Sequence, residues 1–181
     1  VDGIYAAQVG IRIHVGSTFV YETPDPFTAT AAPDLLQQLA GYRRTTIASR
    51  RLGLTHLMTG RELDDTTVGI AYLDTVCSLQ SASLTEARAG KLSAALISLV
   101  AAHEIGHNFG APHDGEAGKA CATISPGAYL MAPTLSTANS QFSQCSLDVI
   151  AQRVAAAQCL TAVDQVDAEI DGVLADENDA V

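Results

Sequence analysis

The sequence predicts one mixed α/β domain arranged round a single buried helix, and three observations predict it. Its 181 residues are 48% apolar and only 17% charged, which suits one sizeable core. Short runs rich in β-branched and aromatic residues alternate with stretches of helical periodicity. One helical stretch, from about Ser93 to Phe109, carries Leu96, Ile97, Leu99, Val100 and Ile105 over most of its circumference, the mark of a helix enclosed by protein. No apolar run is long enough for a membrane span and no signal peptide is visible, so a chain starting at Val1 is read as a mature fragment or excised domain.

The elements follow in order. Residues 1–9 read as the end of a helix running into Gly10. Ile11 to Tyr21 alternates and is expected as a strand, with Gly16 as a bulge and His14 on its polar face. Residues 22–33 hold three prolines and form a loop. Asp34 is placed to cap a helix beginning at Leu35, with Leu36, Leu39, Tyr42 and Ile47 along it. Arg43, Arg44, Arg50 and Arg51 form a basic patch near its end, where cations suit the helix dipole. Leu54 to Thr59 reads as a short buried strand, in which His56 is a satisfied core or edge histidine. Asp64-Asp65 makes a turn, with at most a faint calcium signal. Thr67 to Val76 is a strand, and Ser81 to Arg88 a further one of weaker pattern.

Residues 115–144 show little periodicity; so long an irregular segment in a compact domain suggests the wall of a binding site. Ser146 is positioned to cap a last helix with Val149, Ile150, Val154 and Cys159 inward. Beyond it, Val163, Val166, Ile170 and Val173 recur at helical spacing among acidic residues, and residues 161–181 are read as an acidic tail or linker after a domain spanning 1–160. Net charge is −10, but seven acidic residues and no Lys or Arg lie in 160–181. The rest holds 13 acidic against 10 basic residues, a balance of −3 that offers no footprint for nucleic acid.

Within the buried helix His103, Glu104, His107, Gly110 and His113 spell H-E-x-x-H-x-x-G-x-x-H. Positions i and i+4 share a helix face, so His103 and His107 present imidazoles to one point. Gly110 can take the left-handed conformation that ends the helix, and the turn brings His113 back as a third ligand. Three ligands with a fourth position open are the arrangement of one catalytic zinc. Glu104 stands beside the metal, where it can take a proton from water. Cys77, Cys121, Cys145 and Cys159 make an even number without a C-x-x-C pair, which reads as disulfides and a secreted context. Three pairings are open.

These residues resemble the metzincin zinc proteases. Asp114 after the third histidine resembles the reprolysin (adamalysin, ADAM-like) family within them. So do the methionine turn Tyr129-Leu130-Met131-Ala132-Pro133, the stretch LTHLMTGRELDDTTVGIAYLDTVCS and Phe142-Ser143-x-Cys145-Ser146. The resemblance implies a mixed, mostly parallel sheet with long helices and a central zinc helix. It places Met131 as an apolar floor beneath the metal, and Gly69-Ile70-Ala71 as a cleft-edge strand that binds extended substrate beside Ala132 and Pro133. It pairs Cys77 with Cys159 and Cys121 with Cys145, and Tyr129 stands where a third bridge would need a cysteine. It further implies a secreted, monomeric endopeptidase of protein or peptide substrates with a propeptide upstream. The family's first strand has no counterpart here, so an N-terminally truncated domain is expected; calcium, partly dependent on that strand, is left undecided. Two other readings stand beside this one: a non-catalytic adhesion or binding module that keeps the metal, and a zinc hydrolase of non-peptide esters or amides.

Overall fold

A computed structural model describes residues 1–22, 24–88 and 90–161 of the chain. Five helices appear in it: α1 (Asp2–Gln8), α2 (Ala32–Thr45), α3 (Ile47–Arg50), α4 (Ala94–Asn108) and α5 (Gln144–Ala156). Three strands, β1 (Thr55–Thr59), β2 (Gly69–Ala71) and β3 (Ala82–Glu86), form one mixed sheet in the order β1-β3-β2. β1 runs parallel to β3, with Leu57 opposite Leu84, and β2 runs antiparallel to it, with Ile70 opposite Leu84. None of these helices is long and apolar enough to cross a membrane.

The central strand is the one with the weakest sequence pattern. All five residues of β3 are buried, including Ser83, Thr85 and Glu86. A strand covered on both faces has no reason to alternate. The expected strand over Thr67–Val76 shrinks to β2, because Asp74 and Cys77 take positive φ values of 62° and 67° that turn the chain away.

Two apolar clusters sandwich this framework. Leu35, Leu36 and Leu39 of α2 pack with Phe27, Leu63 and Leu84 on one side. On the other, Leu99, Ala102, Ile105 and Phe109 pack with Tyr5, Leu130, Met131, Phe142 and Ile150. α4 therefore lies between sheet and C-terminal half, as its all-round apolar surface requires. The Tyr5 hydroxyl donates to the Ala102 carbonyl at 2.9 Å, giving the buried phenol its partner.

Several expectations are corrected. Ile11–Tyr21 forms no strand among the described residues. Ile11 and Ile13 turn into the core, Val15 and Val20 are each 81% exposed, and the rings of Phe19 and Tyr21 lean on Tyr42. Alternation alone cannot make a ladder, and the Ile13 amide is already taken by the Asp2 carboxylate at 2.8 Å. α2 starts at Ala32, ahead of Leu35, with Pro33 in its first turn; Asp34 sits inside that turn, favourable to the dipole but not a cap. Ile47 falls in α3 after the chain bends at Thr46. α5 is capped by Ser143, whose hydroxyl accepts from the Ser146 amide at 3.1 Å, while Ser146 is buried. Cys159 lies beyond the end of α5, and Val163, Val166, Ile170 and Val173 lie outside the described residues.

Of the basic patch, Arg44, Arg50 and Arg51 stay exposed at the ends of α2 and α3, and Arg43 alone turns inward. Arg43 is fully buried, and its guanidinium donates to the carbonyls of Ser49 (2.6 Å), Leu52 (2.7 Å) and Ser78 (3.0 Å) and to Thr55 Oγ1 (2.9 Å). One planar fork thus joins α3, the approach to β1 and the loop before β3. Disulfides Cys77–Cys159 and Cys121–Cys145 complete the framework. They tie the segment after β2 to the chain beyond α5, and the irregular segment to the first turn of α5.

Replacing Arg43 by Met keeps the apolar stem but strands several buried carbonyls. Urea unfolding of R43M is expected to show a loss of about 3 kcal/mol. R43K, which keeps the charge without the fork, should recover less than half of that.

Candidate metal centre and cleft

The site begins with how α4 is held. Its first turn is capped by Ser93, whose hydroxyl accepts from the Leu96 amide at 3.2 Å. At the other end the carbonyls left over by the helix are taken up by the segment after β2. Asp74 N donates to His107 O at 2.8 Å, and Thr75 N and Val76 N both donate to Asn108 O at 2.9 Å. Gly110 then turns the chain at φ +92°; a Cβ there would also meet Asp74 Oδ1 at 2.9 Å.

That turn returns His113 to the helix face. Its Nε2 lies 3.2 Å from His103 Nε2 and 3.3 Å from His107 Nε2. His103 Nδ1 is 2.6 Å from the Leu130 carbonyl, and His107 Nδ1 is 2.7 Å from the Ala111 carbonyl. A carbonyl only accepts, so both Nδ1 atoms carry the hydrogen and both Nε2 atoms present lone pairs. Bonds of ~2.0–2.1 Å at tetrahedral angles place ligand nitrogens ~3.3 Å apart, so the observed spacing fits a zinc ion. Burial pushes His103 down to about 3 and His107 to about 4, so both are neutral near pH 7, as ligation demands.

Glu104 is buried beside them, and its Oε2 has no hydrogen-bond partner among the described residues. Burial raises its pKa to about 8. A neighbouring dication is the natural complement of such a carboxylate. β2 passes directly over it: a Cβ on Gly69 would sit 2.5 Å from Glu104 Oε1 and 2.8 Å from Val100 Cγ1. Ile70 turns the other way, into the core against α2. A cleft of about 300 Å³ opens between Gly69–Ala71 and Leu73 on one wall and Glu104, His107, Pro112 and His113 on the other. A hollow of about 350 Å³ beside Cys77–Cys159 holds only Arg153 as a charged group, and that is paired with Asp74.

The methionine turn lies beneath the helix. Met131 is fully buried, and a Cβ on Gly106 would meet its Sδ at 2.8 Å and Phe142 at 3.2 Å. Ala132 is likewise buried and Pro133 exposed; neither borders the cleft. A glycine inside a helix costs about 1 kcal/mol, so Gly106 is itself a sequence signal of a close neighbour. Asp114 is also buried. Its amide donates to the Met131 carbonyl at 2.9 Å, and its Oδ1 accepts from Ser143 (2.9 Å) and Ser146 (3.4 Å) hydroxyls. It thereby ties the third histidine to the methionine turn and to the start of α5.

His56 hydrogen-bonds Ser83 at 2.8 Å, and burial holds its pKa at about 4. His56, His103 and His107 therefore take up protons near 6.5 when unfolded but only at about 4, 3 and 4 when folded. The unfolded chain binds more protons in that interval, so acidification favours it. Glu104, raised from 4.5 to about 8, acts in the opposite sense. His113 is also lowered and Asp114 also raised by burial, so four imidazoles stand against two carboxyls and leave a net loss: the urea midpoint of metal-free protein should fall as pH drops from 6.5 to 4.5. Added zinc should raise that midpoint most at the upper end of the range.

Comparison with known proteins agrees with this geometry. A reprolysin model of metallo-peptidase family M12 matches residues 1–143. Zinc metalloproteinase-disintegrin-like brevilysin H2a of Gloydius brevicauda is 38% identical over 120 residues, covering 65% of this chain and 27% of that protein. Hemorrhagic metalloproteinase-disintegrin-like kaouthiagin of Naja kaouthia is 30% identical over 146 residues, covering 80% of this chain and 33% of its own length. The chain thus spans about a third or less of these relatives. With the family match running from α1 up to the residue before α5, the chain belongs to the M12 metallopeptidases, as a reprolysin-type metzincin.

Proposed function

We propose that this chain is the catalytic unit of a zinc-dependent endopeptidase that cleaves extended protein chains outside the cell. The observation that carries the reading is three imidazole nitrogens converging beside a buried carboxylate, under an edge strand. His103, His107 and His113 would hold the metal. Zinc, when bound, supplies Lewis acidity and lowers the pKa of water from 15.7 to ~7. Glu104 is the proton carrier: its carboxylate takes the proton of the attacking water and passes it to the leaving amine nitrogen. Burial favours the first half of that transfer, since a carboxylate whose conjugate acid has a raised pKa is a stronger base.

β2 pairs with β3 on one side only, leaving the outward backbone groups of Gly69 and Ala71 to accept a peptide laid along Gly69–Ala71 as a further strand. Gly69 lets strand and carboxylate approach closely enough for the scissile bond to reach both. Met131 forms the apolar floor under Gly106, with Ala132 and Pro133 following it in the turn. The unit runs over residues 1–160 and acts as a monomer, with 161–181 an acidic tail or linker. The two disulfides suit an extracellular, oxidising setting. A module keeping zinc only as a prop would have no use for an unpartnered buried carboxylate beside it.

Zinc content and cleavage of a peptide library, with and without chelator, test the reading directly. Glu104→Gln should retain zinc yet lose ~10²–10⁴-fold in kcat; near-native turnover would overturn the mechanism. Gly69→Ala puts a methyl 2.5 Å from Oε1, and displacing the carboxylate by about 1 Å should cost ~10²-fold in kcat with zinc retained. Unchanged kcat in that variant would mean the carboxylate does not work from beneath the strand.

A further inference from the structure

The residue after the second histidine carries no assigned role. Asn108 is fully buried, beyond the reach of substrate. Its side-chain amide donates to the carbonyls of Tyr72 at 2.9 Å and Ala82 at 3.0 Å, with Thr75 Oγ1 at 3.3 Å. Tyr72 is the residue after β2 and Ala82 the first of β3, and Tyr72 N itself donates to Ala82 O at 3.1 Å. The Asn108 amide therefore closes the end of the β2–β3 ladder from the side. Its backbone carbonyl meanwhile accepts from Thr75 N and Val76 N. One residue grips the segment leaving β2 by both its side chain and its main chain.

We propose that Asn108 is a positioning residue for peptide hydrolysis, setting the edge strand Gly69–Ala71 at its working height over the metal histidines and Glu104. The inference rests on the peptidase reading above. β2 has only three residues, and its outer edge must stay open for substrate, so the ladder to β3 is its one lateral support. Among the described residues no other α4 side chain hydrogen-bonds this region. The chemistry selects an amide. Both targets are carbonyls, which one Nδ2 with two hydrogens can satisfy together. A hydroxyl reaches only one of them, and an apolar side chain of equal size leaves the Tyr72 carbonyl with the Thr75 hydroxyl at 3.1 Å and the Ala82 carbonyl with Tyr72 N, so the tie from α4 to the edge strand is lost.

A tether of this kind has a substrate-length signature. Asn108→Leu and Asn108→Ser would be compared with the wild-type chain, zinc content verified, on two peptides. One occupies a single residue on each side of the scissile bond; the other extends along the whole edge strand. For Asn108→Leu, kcat/KM on the extended peptide should fall roughly tenfold more than on the short one, with Asn108→Ser between. Equal losses on both peptides would reflect folded fraction alone and overturn the proposal, as would no loss on either. Hydrogen exchange of the zinc-loaded proteins gives a second readout independent of turnover. Amides of Gly69–Val76 should exchange faster in Asn108→Ser while those of the first half of α4 stay unchanged; unchanged or uniformly faster exchange overturns it. A wild-type chain that cleaves neither peptide would sink the peptidase reading, and the exchange result would then decide the tether by itself.

Discussion

Three imidazole lone pairs aimed at one point repel one another, and most of the structure around α4 exists to hold them there. The Leu130 and Ala111 carbonyls lock His103 and His107 into the tautomer that faces inward. Asp114 ties the loop of His113 to the methionine turn and to the start of α5. Leu130 and Met131 are themselves sealed in the core, so ligand orientation inherits the rigidity of close packing. An ion between the rings turns that repulsion into binding energy, which in turn stabilises the fold.

The same burial sets the chemistry. Dry surroundings depress the histidines and raise Glu104, so at neutral pH His103 and His107 are neutral, as metal ligation demands. Close approach is obtained by omitting side chains. Gly69 lets the edge strand lie on Glu104, and Gly106 lets Met131 lie under the helix. Helix propensity at 106 and strand propensity at 69 are sacrificed for contact distance.

Away from the metal, long-range ties keep sheet, helix and C-terminal half in one arrangement. Arg43 gathers the turns below the sheet, the Cys77–Cys159 bridge holds the segment after β2, and Arg153 pairs with Asp74 on that segment. Asp74, Thr75 and Val76 also close the end of α4. The edge strand β2 and the histidine-bearing helix α4 therefore share one joint. Displacing either moves the other.

What the sequence determined is what a few neighbouring residues can decide. The spacing of His103, Glu104 and His107 is a property of helix geometry. The Ser93 cap and the left-handed turn at Gly110 are equally local, so the metal-binding element was legible with its bounds. The mixed sheet, the irregular 115–144 segment and the last helix were legible in outline. Tertiary structure decided what depends on a distant partner. Ile11–Tyr21 alternates like a strand yet finds no ladder, while the unpatterned Ala82–Glu86 becomes the central strand because both faces are covered. Arg43 reads as surface charge and is buried, since only the fold brings carbonyls from Ser49, Leu52 and Ser78 round it. Residue spacing left three disulfide pairings open; chain geometry realises one. Asn108 looks like one more helix residue until Tyr72 and Ala82 arrive from 36 and 26 positions away. A local pattern carries no record of contacts made at that range.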